Sequence, residues 1–371
     1  MQHPECFGLT ADDLKNLTQN IANATAPERV ALVARIREES STAPCFLDGN
    51  GIDEAIFIRG NPHKLGQPVP RRFLDVFSSG ESKKPASDRL TLAQQMIDPQ
   101  RTPILPRVIV NRIWQHDFGR GIVPTPDDFG HMGELPTHPE LLDDLAQTLI
   151  ESGWSLKKIH REILLSATYR MRSSGSPATT ELQDPKNEFL HRMRPKRLEG
   201  EIIRDAILAV SGRLDDAQYG RSVPIHLTAF LDGRGRPGVS GPVDGNGRRS
   251  VYLAVRRNFP EPLLAAFDLP TPTTSRGRRS ISNVPAQALA LLNNPFVLEQ
   301  AQLWQARYAS LSPAERITQM YIGAYGRKPT SEELSIAEEY VANESNTRDA
   351  ASVWTDLAQV LINAKEFVFV P

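Results

Sequence analysis

The sequence predicts a mainly α-helical fold: a multi-helix domain with a small β-containing, Gly/Arg-rich insertion and a short N-terminal extended or β segment. Three observations carry this. Helix-start signatures recur along the chain at Thr25–Glu28, Thr137–Glu140, Ser312–Glu315 and Thr330–Glu333, most of them followed by apolar residues at helical spacing. Six glycines crowd between residues 233 and 247, too many for a helix interior. One strand-like run, Ala55 to Arg59, stands near the start and is stopped by Gly60, Asn61 and Pro62.

Taken in order, Leu14, Leu17 and Ile21 follow a cap at Thr10 to Asp13. Val30, Val33 and Ile36 follow the Thr25 signature, which has Pro27 in its first turn. These are two short helices. Pro68 and Pro70 keep the chain extended after the Ala55 strand. Residues 78–87 are polar and hold Gly and Pro, which makes them a linker between an upstream region, 1–77, and a helical domain, 88–371. In 107–118 Ile109, Val110, Ile113, Trp114 and Phe118 share a face, and Gly119 can end the helix. A Gly/Pro/Asp-rich loop runs from Arg120 to Pro136. The next helix should turn Leu141, Leu142, Leu145, Leu149 and Ile150 inward and close at Gly153. Ser155 caps another, with Leu156, Ile159, Ile163 and Leu164. Residues 172–183 read as a polar loop, and 196–211 as a helix stopped by Gly212. The irregular insertion spans about 215–257, with Ser250 to Val255 alternating like a strand. Short helices are expected at 261–267, 285–292 and from Pro295, then behind the Ser312 and Thr330 signatures. The last helix places Val353, Trp354, Leu357, Val360 and Leu361 on one face. Trp154, Trp304 and Trp354 are most simply core. No internal repeat or heptad run is present.

Composition excludes several function classes. Lys plus Arg is 43 and Asp plus Glu is 44 over 371 residues, so neither a globally basic nucleic-acid binder nor an acidic tail describes the chain. Nucleic acid is not an expected partner, for no recognised module and no interleaving of aromatic with basic residues occurs. The two cysteines, Cys6 and Cys45, form neither CxxC nor CxxCH, so a Cys-based zinc site and covalent haem are not expected; geometry decides whether they pair. No window approaches 18 consecutive apolar residues, so no transmembrane helix is expected, and the first residues carry no secretory-signal pattern. The balanced charge hides a skew of 33 Arg to 10 Lys. Guanidinium groups bind carboxylate, sulfate or phosphate in fixed bidentate geometry, where lysine offers only a point charge.

The arginines form three constellations. Arg192, Arg194, Lys196 and Arg197 lead into a helix bearing Glu201, Arg204 and Asp205; at helical spacing this is either a structural ion-pair ladder or an anion clamp. Arg248, Arg249, Arg256 and Arg257 bracket the Ser250–Val255 strand. Between Arg234 and Arg279 nine Arg and no Lys face Asp244, Glu261 and Asp268. That excess either holds carboxylates exported by the helices or cradles an outside anion, with backbone N–H groups assisting. Arg107, Arg112, Trp114, His116 and Arg120 form the third, with Arg112 and His116 one turn apart. His116, His131, His138 and His160, with Asp127, Asp128 and Glu134, fit no compact metal motif, and no metal site is expected. His138 already serves the start of a helix. GxSxG, P-loop and GxGxxG motifs are absent from strand-to-helix junctions.

Taken together, Arg107-Val-Ile-Val-Asn-Arg-Ile-Trp-Gln-His116, Phe118-Gly-Arg-Gly121, Asp128-Phe-Gly130, Pro136 to Asp143, Ser152 to His160 and Ser166-Ala-Thr-Tyr-Arg170 resemble an uncharacterised family. So do Arg197-Leu198, Glu201, Arg204-Asp205, the Arg248–Pro260 block, Val284 to Asn293 and Ala364 to Phe367. It is the planctomycete-type PSD/DUF domain found C-terminal to cytochrome-c-like domains in large exported proteins. The likeness spans about residues 85–371, and residues 44–77 resemble the joining region. The resemblance implies a periplasmic or cell-surface setting for full-length relatives and cytochrome-c-like domains as possible partners. It implies no cofactor for this chain, whose sequence lacks the haem motif, and no catalytic residues.

The expectation for function is a non-catalytic binding or scaffold domain. It would engage an acidic polysaccharide or acidic protein surface through Arg112, His116, Arg120, Arg194, Arg197, Arg204, Arg248, Arg249, Arg256 and Arg257, with Glu201, Asp205 and His138 in support. The alternative is a hydrolase of unrecognised class in which His116, Asp128, His138, Arg197, Glu201 and Arg204 share a cleft.

Overall fold

The structure is a computed structural model that describes residues 53–69, 73–77, 89–175 and 177–370. The helix pair expected between Thr10 and Ile36, the two cysteines and the 78–87 linker lie outside the described residues. The described chain is mainly α-helical, and its contacts divide it into two compact units: 53–195 with 276–278, and 196–275 with 279–370. The division falls inside the stretch expected as one helical domain.

The first unit opens with a hairpin. β1 (Ala55–Phe57) pairs antiparallel with β2 (Leu65–Pro68), Ala55 opposite Pro68 and Phe57 opposite Leu65. The expected strand stops early because Arg59 takes a left-handed conformation (φ 55°) in the turn. α1 (Arg89–Ile97) buries none of its residues. α2 (Ile104–Phe118) starts three residues before the expected helix, since Pro106 is tolerated in a first turn. Gly119 ends it at φ 83°, donating its N–H to the Gln115 carbonyl.

α3 (Pro139–Glu151) buries Leu142, Leu145, Ala146 and Leu149, with Leu141 and Ile150 only partly covered. The Thr137 capping box does not form, and His138 is the cap residue. Thr137 is engaged elsewhere: its N–H and hydroxyl both donate to the Ile122 carbonyl, at 2.9 and 3.2 Å. α4 (Leu156–Leu165) buries Ile159 and Ile163 but exposes Leu156 and Leu164, so its apolar stripe is narrower than expected. α5 (Ala178–Gln183) occupies part of the stretch read as loop. The core of this unit is the seam of α2, α3 and α4, where the Phe118 ring lies 4.2 Å from Trp114 and meets Tyr169 edge-on at 5.7 Å.

The second unit opens with a strand where a helix was expected. Residues 196–199 are not helical. β3 (Lys196–Arg197) pairs antiparallel with the C-terminal strand, and α6 (Gly200–Ser211) follows. Pro195 removes a donor and biases the residue before it toward extended backbone, and Lys196 and Arg197 find partners in Val370 and Phe369 instead. Gly212 ends α6 at φ 78°. The 215–257 stretch is irregular, with β-bridges at Asp215–Arg248 and Val223–Leu253. The expected strand from Ser250 is a single 3₁₀ turn over Ser250–Tyr252, because Asp205 captures the Ser250 N–H and hydroxyl and bends the chain there.

Helices then follow: α7 (Pro262–Ala266), α8 (Pro285–Asn293), α9 (Pro295–Arg307), α10 (Pro313–Tyr325), α11 (Ser331–Glu344), α12 (Ala350–Asn363) and α13 (Lys365–Val368), before β4 (Phe369–Val370). The Ser312–Glu315 and Thr330–Glu333 capping boxes both form. α9 and α12 lie at the centre of the core, burying Val297, Ala301 and Trp304 against Val353, Ala358 and Ile362, all fully enclosed. Val360 points outward instead of joining the Val353 face.

Candidate functional site

In the first unit, three of the candidate side chains meet. Arg120, His138 and Arg194 line one small recess whose apolar side includes Trp114, Phe118, Ile122 and Leu190. Its free space is about 20 Å³, room for a water or two or for the oxygens of a carboxylate.

Each wall has a local cause. Arg120 follows the Gly119 cap, in a loop pinned by buried Asn111. The Asn111 amide donates to the Val123 carbonyl (3.1 Å), and its oxygen accepts the Val123 N–H (2.8 Å), as a backbone partner would. Gly121 lets the loop pass, since a Cβ there would sit 2.6 Å from the Val123 carbonyl oxygen and 2.8 Å from the Asn111 amide. His138 caps α3 without a side-chain bond to the helix; its Nδ1 lies 3.0 Å from Thr137 Oγ1. The positive end of the α3 macrodipole therefore begins at the recess wall.

Arg194 is placed by the 184–194 loop. Asp184 accepts the backbone N–H groups of Glu188 (2.8 Å) and Phe189 (2.9 Å). Asn187 donates to the Arg192 carbonyl at 2.8 Å, and Asn187 and Leu190 both sit in the left-handed region at φ 50° and 54°. His191 stands between Glu181 (3.2 Å) and Asp184 (3.3 Å), and Arg192 holds Glu181 at 2.6 Å. Hydrogen bonds from Arg192 first, then His191, hold the Glu181 carboxyl below its usual range.

The electrostatics of the recess are unevenly matched. Arg120 approaches Glu188 at 3.2 Å and Glu134 at 3.8 Å. Arg194 donates through Nη2 to the Asn187 carbonyl at 3.3 Å. Burial, then the repulsion of Arg120 and Arg192, push the Arg194 guanidinium below its ordinary value, against the pull of Asp184 and Glu188. An anion entering here would relieve that repulsion. Sequence reasoning missed Asn187 and Glu188; the Asp184-Pro185 turn pair is the local signal that a structured loop begins there.

The remaining members of this constellation lie elsewhere. Arg112 and His116 sit on the exposed face of α2, away from the recess lining, and Arg107 pairs with Asp143 at 2.6 Å. Among the described residues no group of three or more His, Cys, Asp or Glu is arranged to hold a metal ion.

In the second unit most of the candidate arginines serve the fold. Arg197 is not in the helix, so the ladder expected from it to Glu201 does not exist. It is buried, donating through Nη2 to Asp268 at 2.7 Å, with its guanidinium 5.5 Å from the Phe267 ring centre. Burial pushes the Asp268 carboxyl up, but hydrogen bonds from Ser282 and the Arg197 charge outweigh it and hold it below the usual range. Glu201 pairs with Arg279 at 2.6 Å. Arg204, also buried, donates to the carbonyls of Asp244 (2.7 Å) and Arg248 (3.0 Å) and to Ser250 Oγ (3.2 Å). Burial lowers its pKa despite Asp205, Glu261 and Asp244. Asp205 accepts from Ser250 and faces Arg249 at 3.6 Å. Arg248 donates to the Tyr219 carbonyl at 2.6 Å and lies over the Tyr252 ring. Arg256 and Arg257 are exposed, with no ion pair among the described residues.

The family described as PSD1, protein of unknown function (DUF1553), matches residues 88–341, and the chain belongs to it. No curated protein matches the chain, and no solved structure does. Among the described residues no helix is long and apolar enough to cross a membrane.

Proposed function

We propose that this chain is a non-catalytic binding module that holds an anionic group of a partner in the Arg120–His138–Arg194 recess. One observation carries the reading: separate chain segments bring two guanidinium groups and a helix start to one small recess, and Arg194 has a backbone carbonyl, not a carboxylate, as its hydrogen-bond acceptor. The anion would come from an acidic protein surface or an acidic polysaccharide. The resemblance to exported cytochrome-associated proteins makes a cytochrome-c-like domain a partner worth testing, in a periplasmic or cell-surface setting.

No observation favours the hydrolase reading. Arg197, Glu201 and Arg204 are each committed to separate partners, and the Asp128 carboxylate accepts the Gly130 N–H at 2.8 Å.

The test is calorimetric titration at low salt with poly-L-glutamate and with oligogalacturonate. Arg194→Ala and Arg120→Ala should each weaken binding by about tenfold or more, the cost of losing a charge-assisted hydrogen bond. The double variant Arg256→Ala/Arg257→Ala removes charge without touching the recess and should change affinity by less than about threefold. Failure of the unmutated protein to bind either polymer overturns the proposal, as does an equal loss in the Arg256/Arg257 variant.

A further inference from the structure

The recess already contains a carboxylate. The closest approach of Glu188 to Arg120 is Oε1 to Nη1 at 3.2 Å, and both side chains stay about a third exposed or less. This is an ion pair without a hydrogen bond, where a committed Arg–carboxylate pair makes a two-pronged hydrogen-bonded fork. Arg327 shows the fork in this same chain, with Nη1 and Nη2 each 2.8 Å from the two oxygens of Glu333. Asp184 fixes the backbone of Glu188, not its side chain, so the carboxylate can swing out while the loop stays in place.

We infer that Glu188 is a built-in competitor for the recess, and that the group it competes with is the side-chain carboxylate of a glutamate on an acidic peptide or protein. The inference rests on the recess being the binding site. Three observations select the ligand class. Glu188 shows that a carboxylate on a slender two-carbon stem fits against Arg120. The small recess has room for a group of that size. The adjoining surface is apolar in a way that suits protein: Phe189 is 76% exposed beside Glu188, and Met132 and Leu135, on the loop that carries Glu134, are each 86% exposed.

The experiment titrates the full chain with poly-L-glutamate, poly-L-aspartate, oligogalacturonate and dextran sulfate at low salt. Glu188→Gln removes the competing charge and keeps the shape. It should raise affinity for poly-L-glutamate by about three- to fivefold, the scale of a partly exposed ion pair. Glu188→Asp, with an arm too short to reach Arg120, should raise it as well. Glu134→Gln, removing a carboxylate that is farther away and more exposed, should have the smaller effect. Poly-L-aspartate should bind more weakly than poly-L-glutamate. Should both Glu188 variants leave affinity unchanged or lower while Arg194→Ala still weakens binding by about tenfold or more, the competitor role is wrong and the recess stands. Tighter binding of oligogalacturonate or dextran sulfate than of poly-L-glutamate overturns the glutamyl assignment. If neither the unmutated protein nor Glu188→Gln binds any of the four polymers, the recess reading fails, and this inference with it.

Discussion

Arg197 and Asp268 show how a buried charge is managed here. The Arg197 side chain is 4% exposed, and its Nε and Nη1 are buried with no hydrogen-bond partner. Asp268 is the carboxylate that opposes its charge. Asp268→Ala therefore leaves an uncompensated guanidinium in the interior and should cost about 3 kcal/mol in a denaturant melt. Replacing both residues, Arg197→Met with Asp268→Leu, should cost less than the single change, since no charge is then left unpaired. A larger loss in the double variant would show that the pair itself stabilises the fold. Ser282 makes the Asp268 site more than an ion pair, and nothing near Asp268 in sequence announces that partner, 14 residues away.

At the level of helices and loops, the α2 cap and the loop behind it decide where Arg120 goes. Asn111 is fully buried and acts as a surrogate backbone for Val123. Gly121→Ala drives a methyl group against both partners of that arrangement. The variant should lower the melting temperature by several degrees, and it should weaken poly-L-glutamate binding although residue 121 bears no charge. Unchanged binding would mean that Arg120 is placed without the Asn111 clamp. Much of the helical framework was readable from local signals. The Ser312 and Thr330 capping boxes form because all their atoms lie within one turn. The Thr137 signature has the same letters and fails because Ile122, 15 residues earlier, takes its hydroxyl and N–H. The Ser250 strand fails likewise, through Asp205. Leu156, Leu164 and Val360 face outward because a helix keeps inside only the stripe its neighbours cover.

Across the whole molecule, the charge balance is largely an internal matter. Arg327, just past the Gly326 cap of α10, forks onto Glu333 in α11 and Glu366 in α13, tying those two helices to the end of α10. Its hydrogen bond first, then the Thr330 N–H, hold the Glu333 carboxyl at about 2, down from its usual 4.5. The folded form thus binds this proton less readily than the unfolded form. The stabilisation is complete above about pH 4.5 and is lost as pH falls toward about 2. Glu333→Gln should lower the melting temperature at pH 7 and make no difference near pH 2. A constant difference across that range would remove Glu333 from the acid transition.

The amino-acid sequence alone determined the helical class, the positions of most helices, the family, and the presence of far more Arg than Lys. These follow from periodicity, capping chemistry and composition, which act within a few residues or none at all. Tertiary structure decided which arginines are buried struts and which line an open recess. Arg197 finds Asp268 71 residues away, and Arg204 gathers carbonyls and a hydroxyl 40 to 46 residues on. A guanidinium looks the same in sequence whether its partner is inside the fold or outside it. Only the folded chain buries Arg197 and Arg204 and brings Arg120, His138 and Arg194 to one recess.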